Sequence, residues 1–148
     1  MDAYIVIGNP NTRKSSLVRS LTGCFNRSVR DIQPAHGKSA FRLYARVGSL
    51  QGTRTTPEAF VAEAARMRCA AVLCCLAASA DPLQPDLYPG AQAYLAEFAA
   101  QGWRIRSIAV LGQNGGDVRG PNLCQFAQAP TVPINVTAHA VRSHFGWL

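Results

Sequence analysis

The chain has 148 residues, a formal net charge of +7, and 48% hydrophobic against 16% charged residues. That length suits one domain around one core, and the composition excludes a disordered or low-complexity chain. No apolar run reaches the roughly 18–20 residues that a membrane span needs, and no basic leader opens the sequence, so a cytoplasmic protein is expected.

Tyr4-Ile5-Val6-Ile7, ending at Gly8, is a short β-branched run of the kind that forms a buried strand. Leu17, Val18 and Leu21 recur at helical spacing over residues 14–21, and Thr22-Gly23 supplies a stop. Residues 24–38 have no period and are expected to form a loop. Phe41, Leu43, Ala45 and Val47 alternate with Arg42, Tyr44 and Arg46, which predicts a strand with one polar face. Thr56-Pro57-Glu58 is a helix start, combining a capping hydroxyl, a first-turn proline and an acid at the positive end of the helix dipole. That helix should run to about Arg68. A wholly apolar strand over residues 70–76, a loop over 81–90, a helix over 91–101 and a strand over 105–111 come next. Residues 112–129 are expected to be a glycine-rich loop with a short turn near Cys124, residues 132–136 a last strand, and His139 to Phe145 a terminal helix. Strands alternating with helical crossovers predict a three-layer α/β/α domain over residues 1–148, with a mostly parallel sheet of five or six strands. Ligands of such sheets bind at the carboxyl ends of the strands.

The five cysteines, Cys24, Cys69, Cys74, Cys75 and Cys124, are odd in number and contain no C-x-x-C pair, so reduced thiols are expected rather than disulfides or zinc. His36, His139 and His144 share no metal spacing with cysteines or acids, and neither a zinc nor a haem site is predicted. Only Lys14 and Lys38 of the 15 basic residues are lysines. The arginines are scattered rather than clustered, which weakens a nucleic-acid-binding reading built on Arg27, Arg30, Arg42, Arg46 and Arg54. Trp103 and Trp147 read as packing anchors. An exposed Phe145-Gly146-Trp147-Leu148 tail would instead be a docking surface.

The most informative segment is Gly8-Asn9-Pro10-Asn11-Thr12-Arg13-Lys14-Ser15, which leaves a buried strand and opens a helix. This is the setting of a phosphate-binding loop. Gly8 permits the sharp turn, successive N–H groups at a helix N-terminus face an anion, Lys14 adds a mobile charge, and Ser15 offers a hydroxyl to Mg²⁺. Candidate phosphate-binding residues are therefore Gly8, Asn11, Thr12, Arg13, Lys14, Ser15 and Ser16. Arg13 stands where the pattern has glycine, and its guanidinium would either crowd a phosphate or bind one. The plain alternative is an ordinary strand-to-helix turn with an Asn-Pro-Asn bend.

Gly8 to Leu17 resembles the G-N-P-N-x-G-K-S-S-L loop of bacterial GTPases of the Era and TrmE type. With Leu21-Thr22-Gly23 it is also similar to the G domain of ferrous-iron transport proteins. The resemblance is specific over residues 4–23. It implies a P-loop GTPase-like domain binding GTP or GDP with Mg²⁺, and points to degraded versions of three further motifs. Ser49-Leu50-Gln51-Gly52 stands where D-x-x-G is expected, so the metal-anchoring aspartate is Ser49, and Gln51 is the catalytic candidate by position alone. Asn114-Gly115-Gly116-Asp117 keeps the ends of N-K-x-D, so Asn114 and Asp117 are candidate guanine readers, although N-G-G-D is also a good turn. Thr137-Ala138-His139 resembles the S-A-K motif, which adds Thr137 and Ala138 as base-binding candidates, although Thr137 would equally cap a helix. No threonine in residues 24–38 matches the GTPase switch. The expected function is nucleotide binding, with GTP favoured over ATP and hydrolysis weak or absent. The alternatives are a pseudo-GTPase interaction module holding no nucleotide, with a protein partner, and a basic nucleic-acid-binding module.

Overall fold

The computed structural model describes residues 1–23, 26–34, 37–113 and 115–147. The candidates Cys24, His36 and Asn114, and the terminal Leu148, lie outside the described residues. Among the described residues the elements run β1 (Asp2–Gly8), α1 (Lys14–Thr22), β2 (Arg27–Ile32), β3 (Phe41–Ser49), α2 (Pro57–Met67), β4 (Ala71–Leu76), α3 (Ala91–Ala100), β5 (Arg104–Leu111), β6 (Leu123–Phe126) and α4 (Ile134–His144). The strands form a six-stranded sheet in the order β2-β3-β4-β1-β5-β6. Every pairing is parallel except that of β2 with β3.

Alternation along the strands divides the core into two layers. Tyr4 and Val6 of β1 join Leu43, Ala45 and Val47 of β3 under α1 and α4, where Leu17, Val18, Leu21, Ala138 and Val141 close the layer. Ala3, Ile5 and Ile7 face the other way, against Phe60 and Ala64 of α2 and Tyr94, Leu95 and Phe98 of α3. β4 is buried along its whole length, as its unbroken apolar sequence predicts for a central parallel strand. Thr56 caps α2 by accepting a hydrogen bond from the Ala59 N–H at 3.1 Å. Gly23 ends α1 in the left-handed conformation, with its N–H on the Arg19 carbonyl.

Three expectations are corrected. The supposed loop of residues 24–38 contains β2, an edge strand with Ile32 as its one buried residue. Backbone pairing with β3 forms it, not an apolar pattern, and its polar side chains suit an exposed edge. The supposed strand over residues 132–136 is instead the start of α4. Pro133 sits at the N-cap of that helix, and Val136 is 53% exposed. The last strand is β6, inside the expected glycine-rich loop, where the four residues Leu123–Phe126 pair with Ile108–Leu111. Phe145 and Trp147 of the C-terminal tail are buried: with Tyr4 and Phe41 they form one aromatic cluster with ring centroids 5.1–6.1 Å apart. The tail thus completes the core, and Trp147 is the anchor its composition suggested.

Of the expected polar face of β3, Arg42 is exposed while Tyr44 and Arg46 are buried. Arg46 is 7% exposed beneath α2, and its guanidinium donates to Glu63 Oε2 at 2.6 Å, to Thr53 Oγ1 at 2.7 Å and to Thr55 Oγ1 at 3.2 Å. Tyr44 donates to the same Glu63 oxygen at 2.7 Å, and Arg27 lies 3.5 Å from the other. A buried arginine persists only where carboxylate and hydroxyl partners replace its water. Burial pushes the Tyr44 phenol up to about 12, and its hydrogen bond to the Glu63 carboxylate adds to the rise. Burial alone would raise Glu63, but the hydrogen bonds from Tyr44 and Arg46 and the charges of Arg46 and Arg27 outweigh it, and the carboxyl lies below its ordinary value.

Replacing Glu63 by glutamine leaves the Arg46 charge uncompensated and should cost about 3 kcal/mol of unfolding free energy in urea titrations. Because Glu63 is depressed in the folded state, its contribution is complete above the ordinary glutamate pKa and disappears as pH falls through the lowered value. Glu63→Gln should therefore flatten the acid limb of the stability curve.

Candidate functional site

β1 is flanked on both sides by parallel strands, with Ile7 opposite Leu76 of β4 and Gly8 opposite Leu111 of β5. The chain must therefore leave through the carboxyl edge of the sheet, and the turn is tight. A Cβ on Gly8 would stand 2.3 Å from Thr12 Oγ1 and 3.3 Å from the Leu111 carbonyl oxygen, so only glycine fits. Thr12 Oγ1 closes the turn by donating to the Asn9 carbonyl at 2.7 Å. Asn11 and Arg13 both take left-handed backbone angles, each with φ of 68°. The position that the loop pattern gives to glycine is thus in a glycine-like conformation here, at a local cost of about 1–2 kcal/mol for an L-residue.

Arg13 is the N-cap of α1, and its side chain makes no capping hydrogen bond to the first turn of the helix. Its guanidinium does not fill the loop; it reaches across to donate to the Val132 carbonyl at 2.8 Å. Lys14 folds back over the loop and donates to the carbonyls of Gly8 at 2.7 Å and Asn9 at 3.0 Å. Burial lowers the Lys14 ammonium from its usual value, against a smaller opposing effect of Cys75. The result is a shallow cradle of about 270 Å³ lined by Asn11, Thr12, Arg13, Lys14, Ser15, Ser16 and Ser49. It gathers the residues singled out for phosphate binding, except Gly8, around one concavity. Ser49 arrives from β3, although β4 lies between β3 and β1.

Gln51 is not a water-orienting residue. Its side-chain amide donates to the carbonyls of Ala77 and Pro89 at 2.9 and 3.0 Å and accepts from the Ala77 N–H at 2.9 Å, all in a position only 5% exposed. It clamps the exit of β4, and both of its N–H donors are spent on backbone carbonyls. Ser49 Oγ accepts from the Gly52 N–H at 3.0 Å, closing the turn after β3. Asp81, in the loop after β4, pairs with Arg54 at 2.7 Å and accepts from the Leu83 N–H at 3.0 Å.

The loop after β5 abuts the cradle, since a Cβ on Gly112 would lie 3.2 Å from Thr12 Cγ2. Gln125 pins this loop by donating to the carbonyls of Gly112 and Gln113 at 2.9 and 2.8 Å. Asp117 is exposed beside a cavity of about 400 Å³ that Gln113, Gly115, Gly116 and Gln125 also line. Gly115, which stands at the lysine position of the guanine motif, presses on Val110: a Cβ there would come within 2.6 Å of Val110 Cγ1. Thr137 and Ala138 do not follow a strand. They are buried within α4 as part of a regular helix, and Ala138 packs in the layer shared with α1. The structure therefore does not bring them to the Asp117 cavity, whose lining contains neither.

Ser107 and His144 form a contact that their spacing in the sequence does not announce: Ser107 Oγ is 3.2 Å from His144 Nε2. That nitrogen is also 3.0 Å from the Ile108 carbonyl, which accepts only from a protonated nitrogen, so it is a donor and not a base for the hydroxyl. Among the described residues no group of three His, Cys, Asp or Glu side chains is placed to hold a metal ion. No helix among them is long and apolar enough to cross a membrane.

Gly8→Ala should destabilise the protein by about 2 kcal/mol in denaturant titrations, as expected for overpacking a closed site. Because Thr12 supplies the clash, the Gly8→Ala/Thr12→Ala pair should lose less than the sum of the two single changes. Compared with known proteins, the chain matches no family model, no curated protein and no solved structure.

Proposed function

We propose that the Gly8–Ser15 loop is a phosphate cradle, and that this chain is a P-loop-type nucleotide-binding protein which favours GTP over ATP and hydrolyses it slowly or not at all. The observation that carries the reading is the pose of two side chains. Lys14 lies over the loop on two carbonyl oxygens while Arg13 is tied off at Val132. An incoming phosphate would meet uncapped helix amides and a cation that exchanges carbonyl partners for anionic oxygens.

The guanine preference rests on Asp117, a carboxylate exposed at the next strand end, which would accept from the N1–H and 2-amino groups of guanine. The cavity beside it adjoins the cradle through the Gly112–Thr12 contact. Low turnover follows from what the cradle lacks. Phosphoryl transfer needs an oriented nucleophile and neutralised charge. Gln51 is immobilised in the β4 clamp, and the aspartate position is Ser49.

Magnesium fits this donor set poorly. It is ordinarily held by one or two carboxylates together with substrate phosphates, and the residues lining the cradle offer hydroxyls but no acid. Ser15 Oγ is the protein oxygen that would meet a cation arriving with the phosphates.

The basic nucleic-acid reading loses ground. Arg46 is buried, Arg42 pairs with Asp31 and Arg54 with Asp81.

Isothermal calorimetry with GTP, GDP and ATP tests the proposal. Wild type should bind GTP and GDP more tightly than ATP, and Lys14→Ala should weaken binding by about tenfold or more through loss of a charge-assisted contact. No heat from wild type with any nucleotide, or equal affinity for Lys14→Ala, would refute it and leave the fold as a scaffold for a protein partner.

A further inference from the structure

A second concavity opens beside the cradle, sharing Ser15 with it. It encloses about 260 Å³ and is lined by Arg19, Arg27, Arg46 and Thr53 together with Ser15 and the backbone around Val47. Its charge is set by Arg27 and Arg46 against the Glu63 carboxylate, which they contact at 3.5 and 2.6 Å. The Arg46 guanidinium is fixed by Glu63, Thr53 and Thr55, so it holds its place whether or not a ligand is present. Arg27 is different: its side chain is 65% exposed, on edge strand β2, and its contact with Glu63 is long, at 3.5 Å. Ser15 Oγ stands between the two concavities, 3.4 Å from the Val47 carbonyl.

We infer that this arginine pocket takes the terminal phosphate of a bound nucleoside triphosphate and supplies the charge neutralisation that a divalent cation would otherwise provide. This rests on the nucleotide-binding reading of the cradle. A polyphosphate lying over Lys14 extends past Ser15 into a surface that carries excess positive charge, while the cradle has no carboxylate to hold a metal. Guanidinium groups bind phosphate oxygens in pairs of parallel hydrogen bonds and keep their charge at any physiological pH, so they suit this task without a cofactor. In this arrangement a diphosphate would end over Lys14, and only a triphosphate would reach Arg27.

The test is calorimetric titration of GTP and GDP into wild type, Arg27→Ala and Arg27→Lys, each in excess magnesium and in excess EDTA, with melting temperatures recorded to confirm folding. Chelation should change the wild-type Kd for GTP by less than about twofold, a shift smaller than one weak surface ion pair would produce. Arg27→Ala should weaken GTP about fivefold while leaving GDP nearly unchanged, the loss expected of one charge-assisted contact, and Arg27→Lys should restore part of it. Binding that disappears on chelation, or a GTP affinity indifferent to Arg27→Ala, overturns the inference while leaving the cradle a nucleotide site. Absence of binding under both conditions, or binding unaffected by Lys14→Ala, overturns the cradle itself and the inference with it.

Discussion

The position of β1 between two parallel neighbours constrains everything at the carboxyl edge of this protein. With β4 on one side and β5 on the other, the chain cannot turn back along the sheet, and it has no lateral room as it leaves. The turn at Gly8 must pass within contact of Thr12 and the Leu111 carbonyl, a clearance that excludes any side chain. Two left-handed residues then bring the chain round into α1, whose N-cap side chain makes no capping hydrogen bond. The cradle is thus the way a central parallel strand hands over to a helix, and Lys14 is placed on it because it is the first residue of that helix.

Charge is handled differently on the two sides of the cradle. Inside, Lys14 is satisfied by backbone carbonyls, which are neutral and can be given up to an anion without leaving a buried carboxylate unpaired. Arg46 is satisfied by Glu63, whose removal would leave a buried charge alone. The first arrangement suits an exchangeable partner, the second a permanent one. The same distinction separates Gln51, held by three hydrogen bonds to backbone, from Asp117, which is exposed on the rim of a cavity. Position in a motif made Gln51 and Asp117 equal candidates, and their surroundings make them unequal.

Over residues 4–23, where the sequence resemblance to GTPases is densest, the elements expected from the residues themselves form. Strand, turn and helix occur there as the local pattern demands. In the last third, the strand expected over residues 132–136 is replaced by a helix that Pro133 initiates, and the sheet is completed instead by Leu123–Phe126. Thr137 and Ala138 consequently sit in a helix rather than in a loop that could present an amide to a base.

Local physics alone determined the elements whose cause lies within a few residues. The buried strand running into Gly8, the capped and proline-led start of α2, the wholly apolar β4 and the glycine stop after α1 are all written in neighbouring side chains. Only the tertiary structure decided what depends on residues far apart in the chain. β2 exists because β3 offers it a row of hydrogen-bonding partners, and β6 because β5 does. Arg46 is core rather than surface because Glu63 comes over it from α2, and Arg13 leaves the cradle open because Val132, 119 residues away, accepts its guanidinium. A side chain's charge can be read from its letter; whether that charge is spent on the protein or kept for a ligand is fixed by which distant atoms the fold places within about 3 Å of it.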